Sequence, residues 1–394
     1  MLQNIATPTR PFHRLTEMVL HFTPNWFATS MGTGILSVAL GQFHDLPLIF
    51  TAGELLFTVN IVLFATLVCL YAAKWVFHPR IALSLFDHPV LSMFLGTIPM
   101  ALATLINGLL IYGPAQIGEM QTAEIALTLW MVDAVLAVLV GLAVPFFMFT
   151  RQVHAMSEMS AVWLLPIVAA EVAAASAGLL IPHMADAAVK LDLLMAALVL
   201  WACSVPLALS ILVILFLRMV LHKLPPAAMA ATSWLALGPI GTGALGLALV
   251  AVNGPAALAA NGLAVYAPAI GGAALLGALL LWGYGAWWLM AALLITLRQM
   301  RRGLPFNLGW WAYTFPLGVF ALATMKIGTL VPVALFHEAG VIMIITLTLV
   351  WCVVCVRTLT GVIFGQLFND PCVSAVRDLG SARAARETPM CDRT

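Results

Sequence analysis

Charge is what this chain has least of. Lys, Arg, Asp and Glu make up 8% of its 394 residues while 63% are hydrophobic, and soluble domains carry roughly 25% charged residues. No polar stretch is long enough to fold as a soluble catalytic domain, so the chain reads as an integral membrane protein. Cysteine is also sparse: six residues, in apolar runs or in the tail. Cys352 and Cys355 have the spacing of a redox or metal pair, but their flanks are apolar and no second Cys or His pair accompanies them. No metal and no cofactor are expected. There is no phosphate-binding Walker loop, no His-Glu-x-x-His, and no Gly-x-Gly-Asp or Gly-x-Ser-Gly. Those absences argue against an ATP-driven pump and a membrane protease. A lipid-modifying enzyme would need a nucleophile–base or metal set at the interface, and none is visible. The arginines sit where interfacial residues sit, with no sign of a nucleic-acid surface. Residues 1–21 carry Arg10, His13, Arg14 and Glu17 with no small-residue cleavage site after them, unlike a removable signal peptide.

What is present is a series of apolar runs, each long enough to span a bilayer at about 20 residues. They fall near 22–42, 54–77, 89–112, 122–149, 158–181, 189–217, 229–252, 267–297, 310–332 and 338–364. With ten spans, 15 of the 17 Lys and Arg fall on one side, leaving only Lys190 and Lys326 on the other. A single miscounted span would scramble that alternation. Ten spans with both termini in the cytoplasm follow from it. The expected layout is a cytoplasmic segment 1–21, a ten-helix domain 22–365, and a disordered cytoplasmic tail 366–394.

The odd spans share helix breakers. Span 1 carries Gly32 and Gly34, and spans 3, 5, 7 and 9 carry Pro99, Pro166, Pro239 and Pro316. Trp26…Gly32-Thr33-Gly34 and Trp234…Gly241-Thr242-Gly243 suggest an internal repeat. The fold class is therefore all-α and membrane-integral, with five parallel-repeat hairpins whose kinked odd helices surround a central pore.

The run Trp310–Phe320 draws most attention. Pro316 lacks an N–H and is expected to kink its helix, and a broken helix in a membrane points to a permeation path. At 100° per residue Phe315, Val319, Leu322 and Lys326 share one face. That face reads either as a gate (Phe315) with an anion lure (Lys326), or as a packed Phe and a snorkelling Lys. Ser30 and Ser37, Asn107, and Thr242 belong to small, partly polar stripes on spans 1, 3 and 7, which line a channel or let helices approach closely. Glu171 and Asp133 fall inside spans, where a carboxylate is costly unless protonated or paired; proton coupling, pairing of Glu171 with Lys326, and a hydrogen-bonding link between helices all remain open.

Two motifs, Phe22-Thr23-Pro24-Asn25-Trp26-Phe27…Met31-Gly32-Thr33-Gly34 and Trp310-Trp311-Ala312-Tyr313-Thr314-Phe315-Pro316, resemble the tellurite-resistance/dicarboxylate transporter family. That family holds bacterial tellurite-resistance channels, fungal malate permeases and sulfite efflux pumps, and plant slow-type anion channels. The resemblance implies ten helices in five hairpins, a homotrimer with one pore per subunit in the inner membrane, and a small anionic substrate. It also implies a gate phenylalanine on the ninth helix, mapping to Phe315 with Phe320 nearby. The Met-Gly-Thr-Gly form is similar to the malate/sulfite branch. The expected substrate is a C4-dicarboxylate such as malate, then sulfite, then nitrate or chloride.

Overall fold

A computed structural model describes residues 11–365 and 367–373. Its helices are α1 (Pro11–Leu20), α2 (Phe27–Leu40), α3 (Pro47–Phe77), α4 (Pro79–Ser84), α5 (Thr97–Ile117), α6 (Glu119–Thr150), α7 (Leu165–Leu180), α8 (Ala187–His222), α9 (Leu237–Ala260), α10 (Ala267–Met300), α11 (Phe315–Leu330) and α12 (Ala334–Ile363). Local chemistry sets several of the boundaries. Pro47 opens α3 within its first turn, Asp186 caps α8 by accepting from the Ala188 N–H at 2.9 Å, and Gly118 turns the chain between α5 and α6 at φ +85°.

Burial sorts the long helices into two classes. In α5, α7, α9 and α11, with the 3₁₀ segments that precede them, 72–94% of the most apolar stretch is inside the protein, against 17–33% in α3, α6, α8, α10 and α12. The buried helices close a ring: α2 packs on α5, α5 on α7, α7 on α9, α9 on α11, and α11 returns to α2. Each also packs on the exposed helix that follows it in the chain. The apolar side chains that the exposed helices turn outward, such as Leu142, Leu280 and Ile342, suit hydrocarbon and not water. The fold is all-helical and built for a membrane, as expected.

The count differs in one place. Nine of the described helices are long and apolar enough to cross a membrane; the first expected span is the exception. Helix α2 and the 3₁₀ turn Pro24–Trp26 before it extend about 27 Å at 2.0 and 1.5 Å per residue, slightly under a hydrocarbon core of roughly 30 Å.

The helix breakers also act differently from the expected mid-helix kinks. Each ring helix is entered through a 3₁₀ segment: Pro24–Trp26, Leu91–Gly96, Ala161–Leu164, Ala227–Ala236 and Leu308–Tyr313. Pro99, Pro166, Pro239 and Pro316 lie in the first α-helical turn after these segments, where a missing N–H breaks no intrahelical bond. The break is the 3₁₀-to-α junction. Gly32 and Gly34 are not kinks either. Both lie within α2, and a Cβ there would run into Thr314 and Trp311 of the α11 segment, or into Thr104 of α5. They mark the closest approach of α2 to its two ring neighbours.

The start of the tail is docked, where disorder was expected. Phe368 stacks on Trp26 with centroids 4.7 Å apart, and buried Asp370 pairs with buried Lys74 at 2.5 Å. Lys74 also donates to the Phe22 carbonyl at 2.6 Å, and Cys372 and Val373 are buried beside them. The rest of the tail and residues 1–10 lie outside the described residues.

Candidate permeation path

All five ring helices, four of them with their 3₁₀ entries, contribute to one small cavity of about 40 Å³ at the end where they begin. Met31, Met100, Val168, Gly238 and Phe315 come from the five helices in turn. A cavity touched by every member of a closed ring lies on the ring's axis. Its hydroxyls are already engaged: Thr97 donates to the Pro24 and Phe94 carbonyls, at 2.9 and 2.6 Å, and Thr232 donates to the Met229 carbonyl at 2.7 Å. What remains facing the axis is methionine, leucine and the Phe315 ring. The axis is lined there by apolar side chains.

The two phenylalanines of α11 now separate. Phe315 lines the axial cavity and is 3% exposed. Phe320 points away from it, stacked on Trp282 of α10 with planes 17° apart, and a Cβ on Gly285 would meet its ring. Gly318 faces Ile35 of α2 and Gly241 of α9 meets the Phe320 backbone, which fixes how α11 is rotated. With Phe315 on the axis, Val319, Leu322 and Lys326 follow on the same face. Lys326 is half-buried about 17 Å farther along, at 1.5 Å per residue.

Four residues expected on the path divide evenly. Ser30 donates to Asn60 of α3 at 2.8 Å and Ser37 to the Gly53 carbonyl at 2.8 Å. Both hydroxyls tie α2 to its outer neighbour and do not face the axis. Tyr112 of α5 ties α2 to its ring neighbour instead, donating to the Ser37 carbonyl at 2.8 Å. Asn107 and Thr242 are different. Asn107 lies two turns beyond Met100, and Thr242 one turn beyond Gly238, on the faces that line the cavity. The Asn107 Oδ1 and Thr242 Oγ1 are buried with no hydrogen-bond partner.

Glu171 is fully buried on α7 and neither of its oxygens has a partner. The pairing with Lys326 does not form: among the described residues no ion pair includes either group, and α9 stands between α7 and α11 in the ring. A Cβ on Gly178 would lie 2.9 Å from that of Leu249. Two turns back along these parallel helices, Glu171 and Thr242 occupy the same level. Ser204 of α8 donates to the Ile167 carbonyl one turn below Glu171, at 2.8 Å. Asp133 sits on the outer helix α6, one turn from Trp130, which donates to the Ala173 carbonyl of α7 at 2.9 Å. That places Asp133 between α6 and α7, away from the axis. Among the described residues no cluster of His, Cys, Asp and Glu is disposed to hold a metal ion.

Sequence reasoning missed the two methionines of the cavity. Their signal was their spacing: Met100 precedes Asn107 by seven residues, so the polar stripe already pointed back to it.

The profile of the voltage-dependent anion channel family matches residues 21–359, nearly the whole described domain. The chain belongs to that family. The voltage-dependent anion channel family comprises transporters and channels, not enzymes, and its match upholds the resemblance read from the Trp26 and Phe315 motifs. Among its relatives, the sulfite efflux pump of Arthroderma otae is 34% identical over 377 residues, covering 93% of this chain and 98% of that protein. An uncharacterised transporter of Methanocaldococcus jannaschii is 30% identical over 90% of this chain and 99% of its own. The malic acid transport protein of Schizosaccharomyces pombe is 25% identical, over 88% of this chain and 79% of its own length.

Proposed function

We propose that this chain carries sulfite out of the cell along the axis of the inner ring, with Phe315 as the gate. The observation that supports the path is the meeting of all five ring helices around a cavity that Phe315 helps to line. The choice of anion rests on the relatives. The match to sulfite efflux pumps is closer and covers more of both chains than the match to the malic acid transport protein, so malate, the first expectation, gives way to sulfite. A narrow apolar path also suits a sulfur with three oxygens better than a dicarboxylate, which needs more width and donors at two ends.

The rest of the arrangement follows within this reading. Helix α2 serves as the tenth crossing, both termini face the cytoplasm of the plasma membrane because the basic residues gather there, and three subunits assemble, each with its own path. Lys326, at the far end of the Phe315 face, raises the local anion concentration at the outer mouth. Asn107 and Thr242 offer polar atoms to an anion passing between gate and mouth. Glu171 couples a proton or links α7 to α8, and the pH profile of flux through Glu171→Gln decides which.

Purified protein in liposomes tests the substrate. Sulfite flux should exceed malate and nitrate flux, and Lys326→Gln should lower it more at low than at high ionic strength, because screening removes what the charge supplied. Malate flux equal to or above sulfite flux would overturn the choice of anion.

A further inference from the structure

The outer helices α8 and α10 leave between them a groove that the axial path does not use. Where both helices end, Lys223, Arg298 and Arg302 border an open cleft of about 620 Å³. The cleft has a built floor. Gln299 is buried and donates to the Pro225 carbonyl at 3.4 Å. Buried Arg218 donates through Nη1 to the Lys223 carbonyl at 2.7 Å and through Nη2 to the Ser157 carbonyl at 2.5 Å. Lys223 is held at φ +64°, the only described residue other than glycine in that region, which costs an L residue free energy. Among the described residues, Lys223, Arg298 and Arg302 have no carboxylate within ion-pair distance.

Farther along the same helices, Val213, Phe216, Tyr284 and Trp287 line an apolar cleft of about 300 Å³. Trp287 stands three turns before Arg298, so the two share a face of α10, and Phe216 lies on α8 seven residues before Lys223, which caps that helix. Both clefts lie along the same two helices, so a ligand bridging them would follow the line between α8 and α10. The apolar cleft lies about 10–17 Å from the basic one at 1.5 Å per residue, within reach of an acyl chain. Leu217, Val220, Leu294 and Leu297 alongside are exposed on the hydrocarbon-facing surface.

We propose that this groove binds an anionic glycerophospholipid. Its phosphate sits among Lys223, Arg298 and Arg302, and one acyl chain runs along Phe216 and Trp287. A neutral lipid would leave the cations unanswered, and a free phosphate would leave the apolar half of the groove empty. Ala227 at the cleft's rim opens the 3₁₀ segment Ala227–Ala236, which brings Thr232 and Leu235 to the axial cavity. The headgroup therefore borders the segment that shapes the inner entrance.

Native mass spectrometry of the full chain, released from bilayers of phosphatidylglycerol and phosphatidylcholine, tests this. The wild type should retain phosphatidylglycerol in preference to phosphatidylcholine, and millimolar inorganic phosphate should not displace it. Arg298→Gln with Arg302→Gln should weaken that preference roughly 25-fold, taking about fivefold for each basic residue near a membrane surface. Arg298→Lys with Arg302→Lys should keep it, which guards against a folding defect. Three outcomes would overturn the proposal: equal retention by the Gln variant, displacement by inorganic phosphate, or the same loss from Arg80→Gln, an exposed cation elsewhere.

Discussion

His88 illustrates what a single side chain contributes at the end where the ring helices begin. Its Nδ1 accepts from the Val90 and Leu91 N–H groups at 3.2 and 3.1 Å, holding the turn that leads into the 3₁₀ entry of α5. Burial pushes its pKa below the ordinary value, against the charge of Asp370, which pulls it up. A histidine depressed in the folded state binds fewer protons there than when unfolded. Its stabilisation is complete above the unfolded value of about 6.5 and is lost as pH falls through the folded pKa. Melting temperature in detergent should therefore fall between about pH 7.5 and pH 5, and His88→Gln should reduce that fall. An unchanged pH slope in the variant would contradict this. Residue-scale chemistry was only half legible in the sequence. Phe315 could be singled out from the face it shares with Val319, Leu322 and Lys326 and from the family motif, although its proline was read as a mid-helix kink. Ser30 and Ser37 could not, because a helical wheel gives a face without saying which neighbour it meets, and theirs met α3.

Among the elements, the docked tail joins the most distant parts of the chain. Asp370 and Lys74 have side-chain exposures of 1% and 4%, so removing one partner strands the other in low dielectric. Asp370→Asn should destabilise by about 3–5 kcal/mol, while Asp370→Asn with Lys74→Met should recover most of that. Cys372 reports the same event. Burial, and then the Asp370 charge, push its thiol up to about 11, so it should react slowly with maleimide at neutral pH. In a chain whose other cysteines are serine, Asp370→Asn should speed labelling, and an unchanged rate would mean the segment stays docked without the pair. This contact was invisible beforehand because Lys74 reads as one more interfacial cation and Asp370 as part of a polar tail. The alternation of buried and exposed helices, by contrast, was legible from helix breakers recurring on every odd span. The 3₁₀ entries were not, since a proline near a helix start and one in mid-helix look alike until the start is known.

The whole molecule is a closed ring of short, buried helices inside a sleeve of long, exposed ones, and the central claim is that anions pass along its axis and are stopped by Phe315. Two buried phenylalanines one and a half turns apart on α11 provide the contrast. Phe320 packs between Trp282 and Gly285, so Phe320→Ala should cost roughly 3–5 kcal/mol as a core truncation and leave the gate in place. Phe315 faces a cavity that already lacks packing atoms on one side, so Phe315→Ala should fold and widen the path. The decisive measurement is sulfite flux into liposomes through wild type, Phe315→Ala and Phe320→Ala at matched amounts of folded protein. The account predicts a severalfold rise for Phe315→Ala and none for Phe320→Ala. Wild-type or lower flux through well-folded Phe315→Ala would contradict it.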